Sequence, residues 1–160
     1  MKETVYKTLK SFGIEYEVVN HPPAFTTEEA DTYIEGKEGV RSKTMFLSDK
    51  KKRNFYLFIM DDTKRLDMKK NGELIGEKGL RFGSPESLKE KLGLEPGSVS
   101  PFGLLNNADR DVKVYVDKEI LTEKIITFHP NENTATLFIS MDDMFRFYDF
   151  IGCSCEIIEL

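Results

Sequence analysis

The sequence predicts an α+β fold: one domain over residues 1–160, built as a mixed, mostly antiparallel β-sheet wrapped by helices. Three observations predict it. The 160 residues are 39% apolar and 11% aromatic, enough to build a buried core and too apolar for a disordered chain. Strand-like and helix-like segments alternate irregularly, unlike the regular βαβ ladder of a doubly wound sheet. Among them, apolar runs joined by short polar turns read as hairpins.

The first helix covers residues 3–12, where Val5, Leu9 and Phe12 fall at helical spacing before Gly13. Tyr16 to Val19 reads as a short strand. His21-Pro22-Pro23 then forces an extended segment, because each proline fixes its own φ and biases the preceding residue away from helix. Thr26 with Glu29 makes a capping box that opens a helix to about Ile34. Strands follow at Thr44–Leu47 and Phe55–Met60, joined by a basic turn, Ser48 to Asn54. A short helix is expected at Leu66–Lys70, with Gly72 beyond it.

Ser84 as N-cap, Pro85 at the first helical position and Gly93 as stop delimit a helix carrying Leu88 and Leu92. Glu95 to Gly103 is a loop dense in turn formers. Val112–Val116, Lys124–Phe128 and Thr134–Phe138 read as strands. Ser140 with Asp143 starts a last helix whose apolar stripe is Met144, Phe147, Tyr148 and Ile151, ending at Gly152. A final strand spans 155–158. No repeat or linker divides the chain.

Several chemistries are excluded at this level. Only two histidines and two cysteines are present, too few for a multi-histidine metal site or a disulfide framework. Cys153 and Cys155 enter a strand expected to be buried, where a structural thiol is the simpler reading, and their count fits a reducing compartment. Phosphate-loop, dinucleotide, nucleophile-elbow and zinc-protease motifs are all missing. No stretch has the length and apolarity of a signal peptide or membrane span, so the chain reads as soluble and cytoplasmic, with no metal and no cofactor.

Lys43 stands at the mouth of a strand, directly before Thr44-Met45-Phe46-Leu47. Either it snorkels to solvent, or it directs its ammonium into a cleft where it would suit a phosphate. His129 opens the turn His129–Asn133 between two strands, as a turn histidine or a presented functional group. The loop Gly97 to Gly103 either simply connects two elements or offers backbone amides to a developing oxyanion. Charge adds a clue. The total is −5, which excludes a surface that grips nucleic acid or anionic membrane everywhere, yet residues 41–70 carry ten basic against four acidic side chains. That run includes Lys50, Lys51, Lys52 and Arg53, on the same hairpin as Lys43.

Together these segments resemble the YbaK/ProX family, free-standing relatives of the editing domain of bacterial prolyl-tRNA synthetases. The resemblance rests on His21-Pro22-Pro23-Ala24-Phe25-Thr26, Ser42-Lys43-Thr44-Met45-Phe46-Leu47, Arg81-Phe82-Gly83-Ser84, Gly97-Ser98-Val99-Ser100-Pro101-Phe102-Gly103-Leu104 and Phe128-His129-Pro130 with Asn133-Thr134-Ala135-Thr136. The Pro-Phe-Gly-Leu and Phe-His-Pro stretches are most similar to the ProX, alanine-editing branch. What this implies is an enzyme acting in trans on mischarged tRNA-Pro, hydrolysing the aminoacyl ester, most typically of alanine. It further implies Lys43 as the key active-site residue and His129 within the pocket. Thr44 would help place the substrate, and Gly97, Ser98, Val99, Ser100, Pro101, Phe102 and Gly103 would border the aminoacyl group. Lys50 to Arg53 would meet tRNA, and the implied partners are the tRNA acceptor end and prolyl-tRNA synthetase. Thr44 departs from the asparagine typical of the alanine-editing branch and is more like the cysteine-removing YbaK branch. A cysteine or serine deacylase, or a non-catalytic editing-domain homologue that binds tRNA or a synthetase, are the alternatives.

Overall fold

A computed structural model describes residues 1–160. Helix α1 (Lys2–Ser11) leads to β1 (Glu17–Asn20), α2 (Thr27–Thr32), the hairpin β2 (Ser42–Ser48) and β3 (Phe55–Asp61), and α3 (Met68–Ile75). Then come β4 (Arg81–Phe82), α4 (Pro85–Leu92), β5 (Val112–Asp117), β6 (Ile125–Phe128), β7 (Ala135–Ser140), α5 (Met141–Ile151) and β8 (Cys155–Ile158), with 3-10 turns at Pro101–Asn106 and Lys118–Thr122.

The expected α+β architecture is present, with its strands divided between two sheets. One is five-stranded in the order β4-β2-β3-β5-β8, and the other is three-stranded, β1-β7-β6. The β2–β3, β2–β4, β1–β7 and β6–β7 pairs are antiparallel, whereas β3–β5 and β5–β8 are parallel. Val40 stitches the sheets together. It pairs in parallel with Ile126, donates its N–H to the Ile125 carbonyl at 2.8 Å, and accepts from the Thr127 amide and hydroxyl. The Ser42 hydroxyl adds a bond to the Thr127 carbonyl. This seam places the start of β2 beside the end of β6.

Strand β3 is buried on both faces. Phe55, Leu57 and Ile59 join a core of 25 buried residues that also takes in Val5 and Leu9 of α1, Leu88 and Leu92 of α4, and Phe147 of α5. Tyr56, Phe58 and Met60 point the other way into a smaller cluster with Leu47, Leu80, Tyr115 and Leu160. A central strand covered on both sides has to be apolar at every position, which explains its uninterrupted run.

The capped helices follow local sequence closely. Ser84 and Ser140 accept from the amides of Ser87 and Asp143, and Gly93 and Gly152 close their helices in the left-handed region. Two expectations need correction. Gly72 lies inside α3, not beyond it: a Cβ there would meet the Glu77 carbonyl oxygen at 2.7 Å, so the glycine serves a close backbone approach. Helix α3 is started by the Asp67 cap and stopped by Gly76. Strand β8 is an edge strand with half-exposed residues, not a buried one. Burial still raises the Cys153 and Cys155 thiols to about 11 and about 12, which keeps both protonated and poorly nucleophilic.

Candidate active site

Beside the seam lies a cavity of about 210 Å³, walled by α2, the start of β2, the loop before the first 3-10 turn, the end of β6 and Thr136 of β7. Its position follows from an unfinished sheet edge. Strand β4 pairs only with Leu47 and Ser48, so the Ser42–Met45 stretch of β2 turns to the cavity, and all four of its residues line it.

Lys43 is half-buried in that wall, and its ammonium takes part in none of the hydrogen bonds or ion pairs of the molecule. An uncommitted ammonium facing a cleft is a ready site for an anion. Thr44 and His129 share the cavity with it. The His129 ring is largely enclosed; Nδ1 lies 3.2 Å from the Ala135 carbonyl, to which it donates as an N–H. Burial, helped by His21, lowers its pKa against the opposing pull of that bond. The imidazole is therefore neutral at physiological pH, with the Nε2 lone pair left as an acceptor.

Of the turn-rich loop, Gly97 and Val99 line the cavity. Their amides have no protein acceptor, whereas those of Ser98, Phe102 and Gly103 are used by Glu95, by the Ser100 hydroxyl and by the Ser100 carbonyl. Ser98, Ser100, Pro101, Phe102 and Gly103 stand outside the lining, which narrows the expected substrate contacts to two loop residues. The reason is packing. Ser100 is fully buried and donates to the Asn131 side-chain oxygen at 2.7 Å, tying the loop to the turn that carries His129. Phe102 enters the core, and a Cβ on Gly103 would meet Leu94 at 2.6 Å.

The structure does not gather the basic run at the cavity. Lys50, Lys51, Lys52 and Arg53 form the exposed tip of the β2–β3 hairpin, five β2 residues and roughly 17 Å beyond Lys43 at the usual strand rise. Arg41 instead donates to the carbonyls of Gly39, Ile34 and Lys37, and Lys64 pairs with Asp117 and Glu119. The charge excess over residues 41–70 is thus not one face.

Of the ten lining residues that the sequence does not mark as site residues, three bear most on the chemistry. Phe25 stands at the rim with 75% of its surface exposed. Thr136 accepts or donates at 3.0 Å to Nε2 of His21, whose ring stacks on Tyr33 at 5.1 Å; His21 thereby braces the wall from behind. Asp31, on α2, is the lining carboxylate, and burial together with its contact to Asp62 raises it to about 8. The capping box does signal that α2 begins at Thr26, with Glu29 N bonded to Thr26 and Phe25 N bonded to Glu29. Nothing local marks which side of so short a helix meets a distant strand.

A family model described as the aminoacyl-tRNA editing domain matches residues 21–147. The prolyl-tRNA editing protein ProX of Acetoanaerobium sticklandii is 34% identical over 160 residues, covering 99% of this chain and 97% of that protein. The mouse prolyl-tRNA synthetase associated domain-containing protein 1 is 33% identical over 157 residues, covering 95% of this chain and 92% of its own. A solved structure of a candidate trans-editing enzyme for prolyl tRNA synthetase superposes with a TM-score of 0.76 at 23% identity, covering 99% of this chain and 95% of that one. No helix of the molecule is long and apolar enough to cross a membrane.

Proposed function

The chain belongs to the aminoacyl-tRNA editing domain family, and from that premise we propose that it is a trans-acting deacylase that hydrolyses the ester of mischarged tRNA-Pro, with alanine as the amino acid removed. The observation that carries this reading is the unpaired Lys43 ammonium in the same cavity as a neutral His129 and the free amides of Gly97 and Val99.

An aminoacyl ester is already activated, so the enzyme has no need of a strong protein nucleophile. Lys43 holds the phosphate of the terminal nucleotide. The Gly97 and Val99 amides receive the charge that builds on the carbonyl oxygen as water attacks. His129 Nε2 accepts the proton of that water, which the vicinal ribose hydroxyl orients, and returns it to the ribose oxygen as the acyl C–O bond breaks. Phe25, exposed at the rim, offers its ring to the terminal base. These assignments account for a cavity without a nucleophilic triad.

Selection of the amino acid falls to the shape of a small cavity. A methyl-sized difference changes affinity only modestly, so steric exclusion of the proline ring is the stronger device. Thr44 favours a second reading. Its hydroxyl is shorter than an asparagine amide and lacks the two N–H donors, which suits cysteine or serine as the group removed. The deciding experiment measures deacylation of tRNA-Pro charged with alanine, serine, cysteine and proline. Release of alanine with proline retained is expected; release of cysteine or serine alone moves the assignment to the second reading, and no release from any overturns both.

The hairpin tip is too far from Lys43 to touch the terminal nucleotide, so Lys50 to Arg53 belong to phosphates further along the acceptor end in this reading. Replacing all four with glutamine is expected to raise KM and flatten the salt dependence of binding, by up to about 0.7–0.9 in log–log slope for each phosphate that the tip neutralises. Unaltered binding across a salt titration would mean that the tip is merely solvated. The name of the mouse relative links that protein to prolyl-tRNA synthetase, and the synthetase is the proposed protein partner here as well.

A further inference from the structure

Within the cavity lining, Asp31 is the sole carboxylate and Lys43 the sole permanent cation. Helix capping does not explain Asp31. The N-terminus of α2 is capped by Thr26 and Glu29, and Asp31 sits at the other end of the helix, where the backbone dipole disfavours negative charge.

The groups around Asp31 give it no ion-pair partner. The Asp62 carboxyl, just past the end of β3, is within hydrogen-bond contact, with Asp61 beside it. Asp61 accepts from the amide and hydroxyl of Thr63. The Arg41 charge reaches Asp31 without an ion pair, while its Nη atoms donate to the Gly39, Ile34 and Lys37 carbonyls. No ion pair of the molecule includes Asp31 or Asp62.

We infer that Asp31, backed by Asp62, receives the protonated α-amino group of the aminoacyl ester, so that the cavity selects esters of free amino acids over N-blocked ones. The inference rests on the deacylase reading and adds a specificity residue to it. A charged aminoacyl-tRNA end carries two opposite charges, the phosphate and the α-ammonium, and the cavity holds one complement to each. Lys43 on β2 and Asp31 on α2 are contributed by different elements, so the two charges are read separately. Before substrate enters, burial and the adjacent Asp62 carboxyl make Asp31 hold its proton more tightly than an ordinary carboxyl does. An entering ammonium replaces that proton, which leaves to solvent, and the carboxylates then accept its N–H bonds.

The test compares alanyl-tRNA-Pro with N-acetyl-alanyl-tRNA-Pro as substrates of the full chain. Wild type is expected to prefer the free amine by about tenfold or more in kcat/KM, the range of a charge-assisted hydrogen bond. Asp31→Asn is expected to bring that ratio close to one, and Asp62→Asn to lower it. Equal turnover of both esters by wild type overturns this inference while leaving the deacylase reading in place. So does an Asp31→Asn variant, folded by circular dichroism, that keeps the wild-type ratio. Turnover of neither ester by wild type overturns the alanyl-ester reading and this inference together.

Discussion

Replacing Lys43 with alanine is expected to abolish ester hydrolysis, a loss of about a hundredfold or more in kcat/KM, while the protein stays folded. The magnitude is that of removing one preorganised electrostatic interaction from a partly desolvated site. Sparing of the fold follows from what Lys43 does in the molecule. Its ammonium bonds to no other group, so its removal leaves no buried partner unsatisfied. Its backbone pairs with Met60 whatever the side chain. The stability change should therefore stay within about 0.5 kcal/mol, as for surface substitutions that touch nothing essential. Deacylation of alanyl-tRNA-Pro and a thermal melt, measured on the same preparation, check both halves. Full activity in the variant would sink the proposed chemistry; unfolding would show that the lysine is structural.

The contrast between local caps and distant pairings shows what is legible in the sequence. Elements set by short-range chemistry are readable: the Thr26–Glu29 box, the Ser84–Pro85 start of α4 and its Gly93 stop, the Ser140–Asp143 start of α5 and its Gly152 stop. Each needs only neighbours within one turn. Lys43, Thr44, Gly97, Val99 and His129 also stand out in the sequence, and they do meet in one cavity.

What is not legible depends on pairing over long separations. The parallel Phe55–Val112 register and the Val40–Ile126 bridge decide that the strands form two sheets joined at one seam. No local pattern encodes that join. The same long-range geometry puts the basic tip at the far end of β2 from Lys43, although the residues are close in sequence, because an extended strand separates its ends as far as a chain can. It also sets Asp31 against Asp62 across 31 residues of chain. Gly72 misleads for the opposite reason. A glycine after a helical run looks like a stop, and only the approach of Glu77 shows why it lies within the helix.

Truncation of Phe102 to alanine should have the largest effect on stability, about 3–5 kcal/mol, the usual cost of emptying a buried phenylalanine site. Phe102 is only 1% exposed. Its ring meets Phe128 edge-on at 5.8 Å and Phe147 at 5.2 Å, so the side chain joins the loop, β6 and α5 at one point. Each such edge-to-face contact adds to the transfer term, and a 3-10 turn opened by Pro101 has little freedom to collapse into the void. The same ring explains how the site is held. Phe128 lines the cavity and precedes His129, while Ser100, two residues before Phe102, anchors the loop to Asn131. Loosening Phe102 therefore releases the loop that carries Gly97 and Val99 from the strand that presents the His129 imidazole. Urea unfolding should show a lower midpoint at an unchanged slope. Deacylation assayed well below the new midpoint should also fall, through a weaker KM as well as a slower turnover, since proximity of loop and imidazole is lost. A stability loss under about 1 kcal/mol would mean that the surrounding rings close the gap on their own, and that the loop is held chiefly by the Ser100–Asn131 bond.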